Sequence, residues 1–237
     1  MRVLLLGHGR MGKLVEALAP EYGATIAGVI DERSGDTAIR DGAFGDVDVA
    51  IDFTLADAVP RNLPQLADRK INVVIGTTGW QAQEHAMRAL AAKAGIGVLA
   101  AANFSLGMNI FQIAVEAASR QFARHPEFGA WIHESHHVMK KDAPSGTAVA
   151  IRTGMEQAGF TRAIDVSSTR VGHVPGTHTV GFDGPSETIE LTHTVRDRAV
   201  FARGALVAAQ WLVGKSGWFS IRDVLADGGT PKAEGQL

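Results

Sequence analysis

The sequence predicts an α/β protein in two parts, an N-terminal unit built on a parallel sheet and a second α+β unit. Three observations carry this. Short continuous apolar runs alternate with polar or helical segments through the first hundred or so residues. A glycine-rich loop directly follows the first of these runs. Beyond about residue 125 the long helical stretches give way to segments of alternating polarity.

Residues 2–6 (RVLLL) end at Gly7, and an apolar run of that length bounded by glycine reads as a strand buried on both faces. A helix over roughly 11–19 follows, then a strand at 25–30 stopped by Asp31. Further strands are expected in 48–54, 71–79 and 95–105, with helices over 55–68, 81–94 and 106–123. Pro60 and Pro64 should make the first of these helices irregular. Strand alternating with helix in this way calls for a parallel sheet covered on both faces. Residues 129–137 then read as a strand ending in two histidines, 138–145 as a loop and 146–158 as a helix. The segments DVSSTRVGH, THTVGFD and ETIELTHTV carry antiparallel strand signals between glycine-rich turns. An apolar helix returns at 199–213, and the tail from Gly228 onward should fray. The expected boundaries are 1–105, completed by about 199–227, for the first unit and 106–198 for the second.

Composition narrows the function classes. Over 237 residues the net charge is −2, so nothing global attracts nucleic acid or an anionic membrane. The absence of cysteine excludes a disulfide framework, a cysteine-ligated zinc site and a thiol nucleophile. No apolar run reaches the ~18 residues that a membrane helix needs. A soluble intracellular protein is the default expectation.

Gly7, Gly9 and Gly12 form G-x-G-x-x-G after a strand and at a helix start, the arrangement of a Rossmann-type dinucleotide-binding domain. The first glycine permits the tight turn, the second a close approach to pyrophosphate, and the third close helix–strand packing. Asp31 lies 19 positions past Gly12, near the ~20 expected for an acid that contacts the ribose hydroxyl. Arg33 beside it suits the 2′-phosphate of NADP, so NADH, NADPH or both stay open. The bland alternative is a glycine turn with an unrelated strand-end acid. GTTG (76–79) and AANF (101–104) also follow predicted strands, where small residues let a flat ring and a ribose approach the backbone.

Residues 134–148 read E-S-H-H-V-M-K-K-D-A-P-S-G-T-A. Two histidines can exchange protons near neutral pH, and two lysines add positive charge. Pro144 fixes the chain before Ser145, Gly146 and Thr147, where a helix begins. Ser145 suits the N-cap, and the helix's first N–H groups suit a carboxylate. Against this stands the ordinary reading, in which adjacent histidines are structural and a lysine pair is a solvated face. A cationic loop beside an anion-ready helix start fits a dicarboxylate substrate.

This segment resembles the signature of the 4-hydroxy-tetrahydrodipicolinate reductase (dihydrodipicolinate reductase) family of lysine biosynthesis, E-[AS]-H-H-x-x-K-x-D-A-P-S-G-T-A, at every fixed position. The resemblance extends to IDFT (51–54), GTTG, AANFSLGMN (101–109), GTHTVGF (176–182) and GKSGWFSIRDVL (214–225). It implies reduction of 4-hydroxy-tetrahydrodipicolinate in the diaminopimelate route, in the cytoplasm, by a homotetramer built through the sheet of a substrate-binding and oligomerisation domain. It implies that His136 is proton donor or acceptor and Lys140 the proton donor. His137 would contact substrate, and Gly146 and Thr147 would hold its carboxylate, beside Ser145 at the helix cap. Gly7, His8, Gly9, Arg10, Met11, Gly12, Asp31, Gly76, Thr77, Thr78, Ala101, Ala102, Asn103 and Phe104 would line NADH or NADPH, to which the reading of the strand end adds Arg33. No metal is implied. Many members carry a glycine loop one residue longer than GHGRMG, which leaves the choice of cofactor open. A shortened connection is expected between Gly159 and Asp165. Two rivals keep the glycine loop: a different two-domain nicotinamide dehydrogenase, which lacks the 134–148 segment, and a non-catalytic redox sensor, which has little use for it. Turnover separates them.

Overall fold

The computed structural model of the protein describes residues 1–35 and 37–228. The tail expected to fray lies, beyond Gly228, outside them. The chain forms two compact units, Met1–Leu106 with the segment from Ala199 on, and Gly107–Arg198.

In the first unit, β1 (Arg2–Leu6), β2 (Thr25–Ile30), β3 (Val49–Asp52), β4 (Asn72–Ile75), β5 (Gly97–Ala100) and β10 (Gly217–Phe219) make one sheet in the order β10-β5-β4-β3-β1-β2. Every pairing is parallel. Successive strand residues point to opposite faces, and both faces are covered. Val3 and Leu5 pack with α1 (Arg10–Leu18), α7 (Ala199–Leu212) and α8 (Ile221–Ala226). Leu4 and Leu6 pack with α2 (Ala38–Asp41), α3 (Val59–Asp68) and α4 (Glu84–Ala94). This double burial is why the strands read as unbroken apolar runs. The chain leaves β1 for β2 on one side and returns to β3 on the other. The carboxyl ends of β1 and β3 therefore border the switch point where open α/β sheets bind ligands.

Three details differ from expectation. The strands stop before the ends of their sequence runs, because GTTG and AANF turn away as loops. The helix expected to be irregular runs unbroken from Val59 to Asp68. Pro60 lies in its first turn, where the missing N–H has no intrahelical partner to lose, and Pro64 removes a single internal bond. The short strand β10 was not anticipated, because three residues carry no readable period.

In the second unit, β6 (Gly129–His136), β7 (Ile164–Arg170), β8 (Thr177–Asp183) and β9 (Thr188–Thr194) make a sheet in the order β7-β6-β8-β9. α5 (Leu106–Phe122) and α6 (Gly146–Gln157) contribute Phe111, Val115, Ile151 and Met155 to a core with Ile132, Val180 and Phe182. β8 pairs antiparallel with both neighbours, but β7 runs parallel to β6, which corrects the all-antiparallel reading. Alternating polarity reveals a strand, not its direction. Here α6 carries the chain back between β6 and β7, and such a crossover imposes parallel pairing. The connection from α6 to β7 is held by Arg162, which donates to the carbonyls of Phe122, Phe128 and His125 at 2.7, 2.9 and 3.1 Å.

Candidate functional site

The predicted residues fall into a group in each unit. In the first, a cavity of about 570 Å³ is lined by Gly7, His8, Gly9, Asp31 and Arg33. A Cβ on Gly12 would lie 2.1 Å from the Gly7 carbonyl, and one on Gly7 2.5 Å from the Phe53 carbonyl. Only glycine lets the turn, the helix and the loop after β3 come this close. Gly7 also has φ +87°, where other residues are strained. α1 has neither a side-chain cap nor an acidic first turn, so the N–H groups of Arg10, Met11 and Gly12 suit phosphate oxygens. The cradle fits a dinucleotide.

Asp31 follows β2 and accepts from the Arg33 backbone N–H at 2.9 Å and the Arg33 guanidinium at 3.0 Å. These bonds, the backbone one first, hold the Asp31 carboxyl below its usual range. The Arg33 side chain is 84% exposed and the Asp31 side chain 23%. The acid faces the cavity, and the arginine leans on it from solvent.

Gly76, Thr77 and Thr78 follow β4. Thr77 is buried and donates to Asp52 at 3.1 Å, which also accepts from the Thr54 N–H at 2.9 Å and from Asn62 at 3.0 Å. Asp52 thus ties together the loops after β3 and β4. Within IDFT nothing in the sequence marks this role. A second cavity of about 280 Å³ is lined by Thr77, Ala101 and Ala102. Asn103 accepts from the Ser105 N–H at 2.9 Å. Phe104 is 2% exposed, with its ring edge-on to Phe53. Its side chain belongs to the core, so only its backbone can face a ligand.

In the second unit, alternation along β6 points Ala130, Ile132, Glu134 and His136 inward. The first two enter the apolar core. The last two lie at the end of the strand, near the start of α6. His136 Nδ1 is hydrogen-bonded to Glu134. The Glu134 carboxylate is fully buried and receives Arg170 from β7 on both oxygens, at 2.7 and 3.1 Å, with the Ser145 N–H at 3.3 Å. Burial pushes the Glu134 carboxyl up, but hydrogen bonds from Arg170, Ser168 and His136 outweigh it and bring it to about 2. Burial lowers the His136 pKa, Glu134 opposes this, and Lys140 and Arg170 add to the lowering. Burial brings His178 down to about 4, helped by the charge of His136. Both imidazoles are thus held below the ordinary histidine range, which favours their neutral forms.

Ser145 caps α6 by accepting from the Ala148 N–H at 3.2 Å, and its hydroxyl meets His178 Nε2 at 3.2 Å. Lys140 pairs with Asp142 at 2.8 Å, and Asp142 also accepts from the Gly146 N–H at 3.3 Å. The Lys140 bond is the main reason the Asp142 carboxyl lies below its usual range. His137 and Thr147 are half-buried on either side of this loop. His136, Lys140, Ser145 and Gly146 are thus brought together, with a carboxylate bridging Lys140 and the helix start, and His137 and Thr147 adjoin them along the chain. Glu134, His136 and His178 place three ligand-type atoms within 4.8 Å of one another, but Arg170 already supplies the positive charge at Glu134. The roles of Asp142, Arg170 and His178 are not apparent from sequence spacing. The available signal was phase, because Arg170 shares the inward register of Ile164 and Val166, and His178 that of Val180 and Phe182.

The sequence matches two family models, "Dihydrodipicolinate reductase, N-terminus" over residues 1–104 and "Dihydrodipicolinate reductase, C-terminus" over residues 107–225. It is 34% identical over 238 residues to a 4-hydroxy-tetrahydrodipicolinate reductase of Christiangramia forsetii, covering 96% of this chain and 98% of that protein. It is 37% identical over 246 residues to one of Stenotrophomonas maltophilia, covering 95% and 98%. Among solved structures, a dipicolinate-bound dihydrodipicolinate reductase from Paenisporosarcina sp. TG-14 superposes with a TM-score of 0.78 at 21% identity, covering 93% of this chain and 97% of that one. A probable dehydrogenase of Thermotoga maritima gives 0.60 at 10% identity, covering 94% and 92%, a likeness of fold alone.

Proposed function

This chain belongs to the dihydrodipicolinate reductase family, and on that premise we propose that it reduces 4-hydroxy-tetrahydrodipicolinate to tetrahydrodipicolinate in the diaminopimelate route to lysine. It is an NAD(P)H-dependent oxidoreductase. The observation that carries the substrate assignment is the cluster at the start of α6, where an ammonium, a neutral imidazole and helix N–H groups converge. The Asp142 carboxylate already bridges Lys140 and the Gly146 N–H, which is how a substrate carboxylate would be held.

The hydroxylated ring loses water to become a conjugated imine. Hydride adds to the far end of that conjugation, and the resulting enamine takes a proton on carbon. Reduced nicotinamide supplies the hydride. Gly7, Gly9 and Gly12 with the α1 start would hold the pyrophosphate, Asp31 the ribose, and the loops at 76–78 and 101–104 the nicotinamide end. Gly146 and Thr147 bind a substrate carboxylate, and His137 contacts the ring. Lys140 or His136 delivers the proton, and their surroundings stabilise the dianion.

Assembly belongs to the same reading. The face of the second sheet turned from its core carries Trp131 and cross-strand threonine pairs, Thr177–Thr194 at 3.2 Å and Thr179–Thr192 at 3.0 Å. This face would join subunits into a homotetramer. No helix of the described residues is long and apolar enough to cross a membrane. A place in that pathway supports a cytoplasmic location.

The test is turnover in a coupled assay with the enzyme that makes the substrate, run separately with NADH and NADPH. Wild type should oxidise at least one of them in a substrate-dependent way. Lys140→Ala should lose about 10²–10⁴-fold in kcat with unchanged cofactor affinity, and Thr147→Val should act mainly on KM. Oxidation of neither nucleotide would remove the assignment.

A further inference from the structure

We propose that Arg170, acting through Glu134 and through the loop it grips, is the positioning residue that sets the tautomer of His136 and places Lys140 beside it. This rests on the reading of His136 and Lys140 as the reacting pair, and it assigns their proton roles.

A guanidinium has five N–H groups in a rigid fork. In Arg170 all five are used. Nε donates to the Lys140 carbonyl at 3.2 Å. One terminal nitrogen donates to Glu134 at 3.1 Å and to the Thr169 carbonyl at 2.9 Å. The other donates to the second Glu134 oxygen at 2.7 Å and to the Asp142 carbonyl. One side chain on β7 therefore holds the carboxylate under His136 and the backbone on both sides of Lys141. No other residue can replace this fork, since lysine offers three donors from a single point.

The consequence for His136 follows from charge. Glu134 is fully buried, ionised and shared with Arg170, so its free lone pair accepts and cannot donate. It faces Nδ1, so Nδ1 carries the imidazole proton. Around the ring stand Glu134 on its own strand, Arg170 from β7, His178 from β8 with ring centroids 5.2 Å away, and Lys140 from the loop. Burial and the nearby cations favour the neutral ring, and with its proton on Nδ1 that ring presents Nε2 as a bare acceptor. Nε2 lies against Gly176, where an added Cβ would come within 3.1 Å. An imidazole whose single proton is committed to Glu134 has none to give the substrate. His136 then accepts a hydrogen bond and orients, while the Lys140 ammonium is the acid.

The test has one arm on the wild-type protein and two on variants. Nitrogen NMR of histidine-labelled wild type at pH 7 should show His136 protonated at Nδ1 and bare at Nε2. Glu134→Gln turns an amide N–H toward Nδ1 and should invert the tautomer. It should lower kcat about 10²-fold and move the acid limb of the kcat profile to lower pH, because imidazolium has lost its anionic partner. A merely structural lesion would lower kcat at every pH and leave that limb in place. Arg170→Lys keeps the charge but abandons most of the five bonds, and should cost about tenfold or more in kcat with unaltered NADH affinity. An Nε2–H tautomer in wild type overturns the proposal. So does a folded Glu134→Gln or Arg170→Lys enzyme with wild-type kcat and pH limb. If the variants fail to fold, the wild-type spectrum decides. If wild type turns over no substrate, the reaction assignment falls, and the spectrum still tests the tautomer.

Discussion

Asp31 and Arg33 pair with each other at the end of β2, and cofactor choice turns on how that pair divides. The carboxylate accepts from a ribose hydroxyl and repels a 2′-phosphate, while the exposed guanidinium attracts the phosphate once it is released from the acid. Removing the acid removes the NADH contact and frees the arginine, so both effects act in one direction. Asp31→Ala should shift the ratio of kcat/KM for NADPH over NADH upward by about tenfold. Steady-state kinetics with both nucleotides measures it, and an unchanged ratio would take Asp31 out of the ribose site. The acid was legible in the sequence because its distance from the glycine loop is set by one strand–helix–strand passage. Its bond to Arg33 was not, since that depends on how the turn at 31–34 folds.

The helix α7 shows an element-scale conflict that packing decides. Ala exceeds Gly in helix propensity by ~1 kcal/mol, so Gly204→Ala should stabilise an isolated helix. In the fold, a Cβ at 204 would lie 1.7 Å from the Phe104 carbonyl. The helix crosses the loop after β5 with no room for a methyl group, and backbone cannot swing aside as a flexible side chain does. Overpacking of this kind costs about 1–3 kcal/mol, which outweighs propensity. Urea unfolding should show Gly204→Ala destabilised by about 2 kcal/mol. Gly129, with nothing within 4 Å of its Cβ position, should tolerate alanine within about 0.5 kcal/mol. Equal stability of the two variants would contradict this account. The apolar period of α7 was readable along the chain, but its partner lies about 100 positions away.

The first unit is assembled from both ends of the chain, which makes a prediction about the whole molecule. From α7, Ala202, Ala205, Leu206, Ala208, Ala209 and Leu212 are all fully buried against the sheet. Without them one face of the sheet would meet water. A fragment of residues 1–106 should therefore show no cooperative thermal transition by circular dichroism. Residues 1–106 joined to 199–228 by a short glycine–serine linker should regain one, since Gly204 already lies against Phe104. Cooperative unfolding of 1–106 alone would mean that α7 is dispensable.

The sequence by itself determined the periods and the punctuation. β1 was visible because both of its faces are buried and every residue in it after Arg2 is apolar, the glycine loop because turn, phosphate approach and packing each demand a missing Cβ, and the 134–148 segment because its histidines, lysines and helix start are contiguous. Tertiary structure decided what contiguity cannot express. β7 runs parallel to β6 because α6 lies between them, although its alternation fits either direction. Phe104 turned its ring into the core, where burial of an aromatic outweighs exposure to a ligand. Asp52 and Arg170 became hubs only when strands brought distant carbonyls, hydroxyls and carboxylates within 3 Å or so of them. A hydrogen bond depends on such distances in space, and separation along the chain does not encode them.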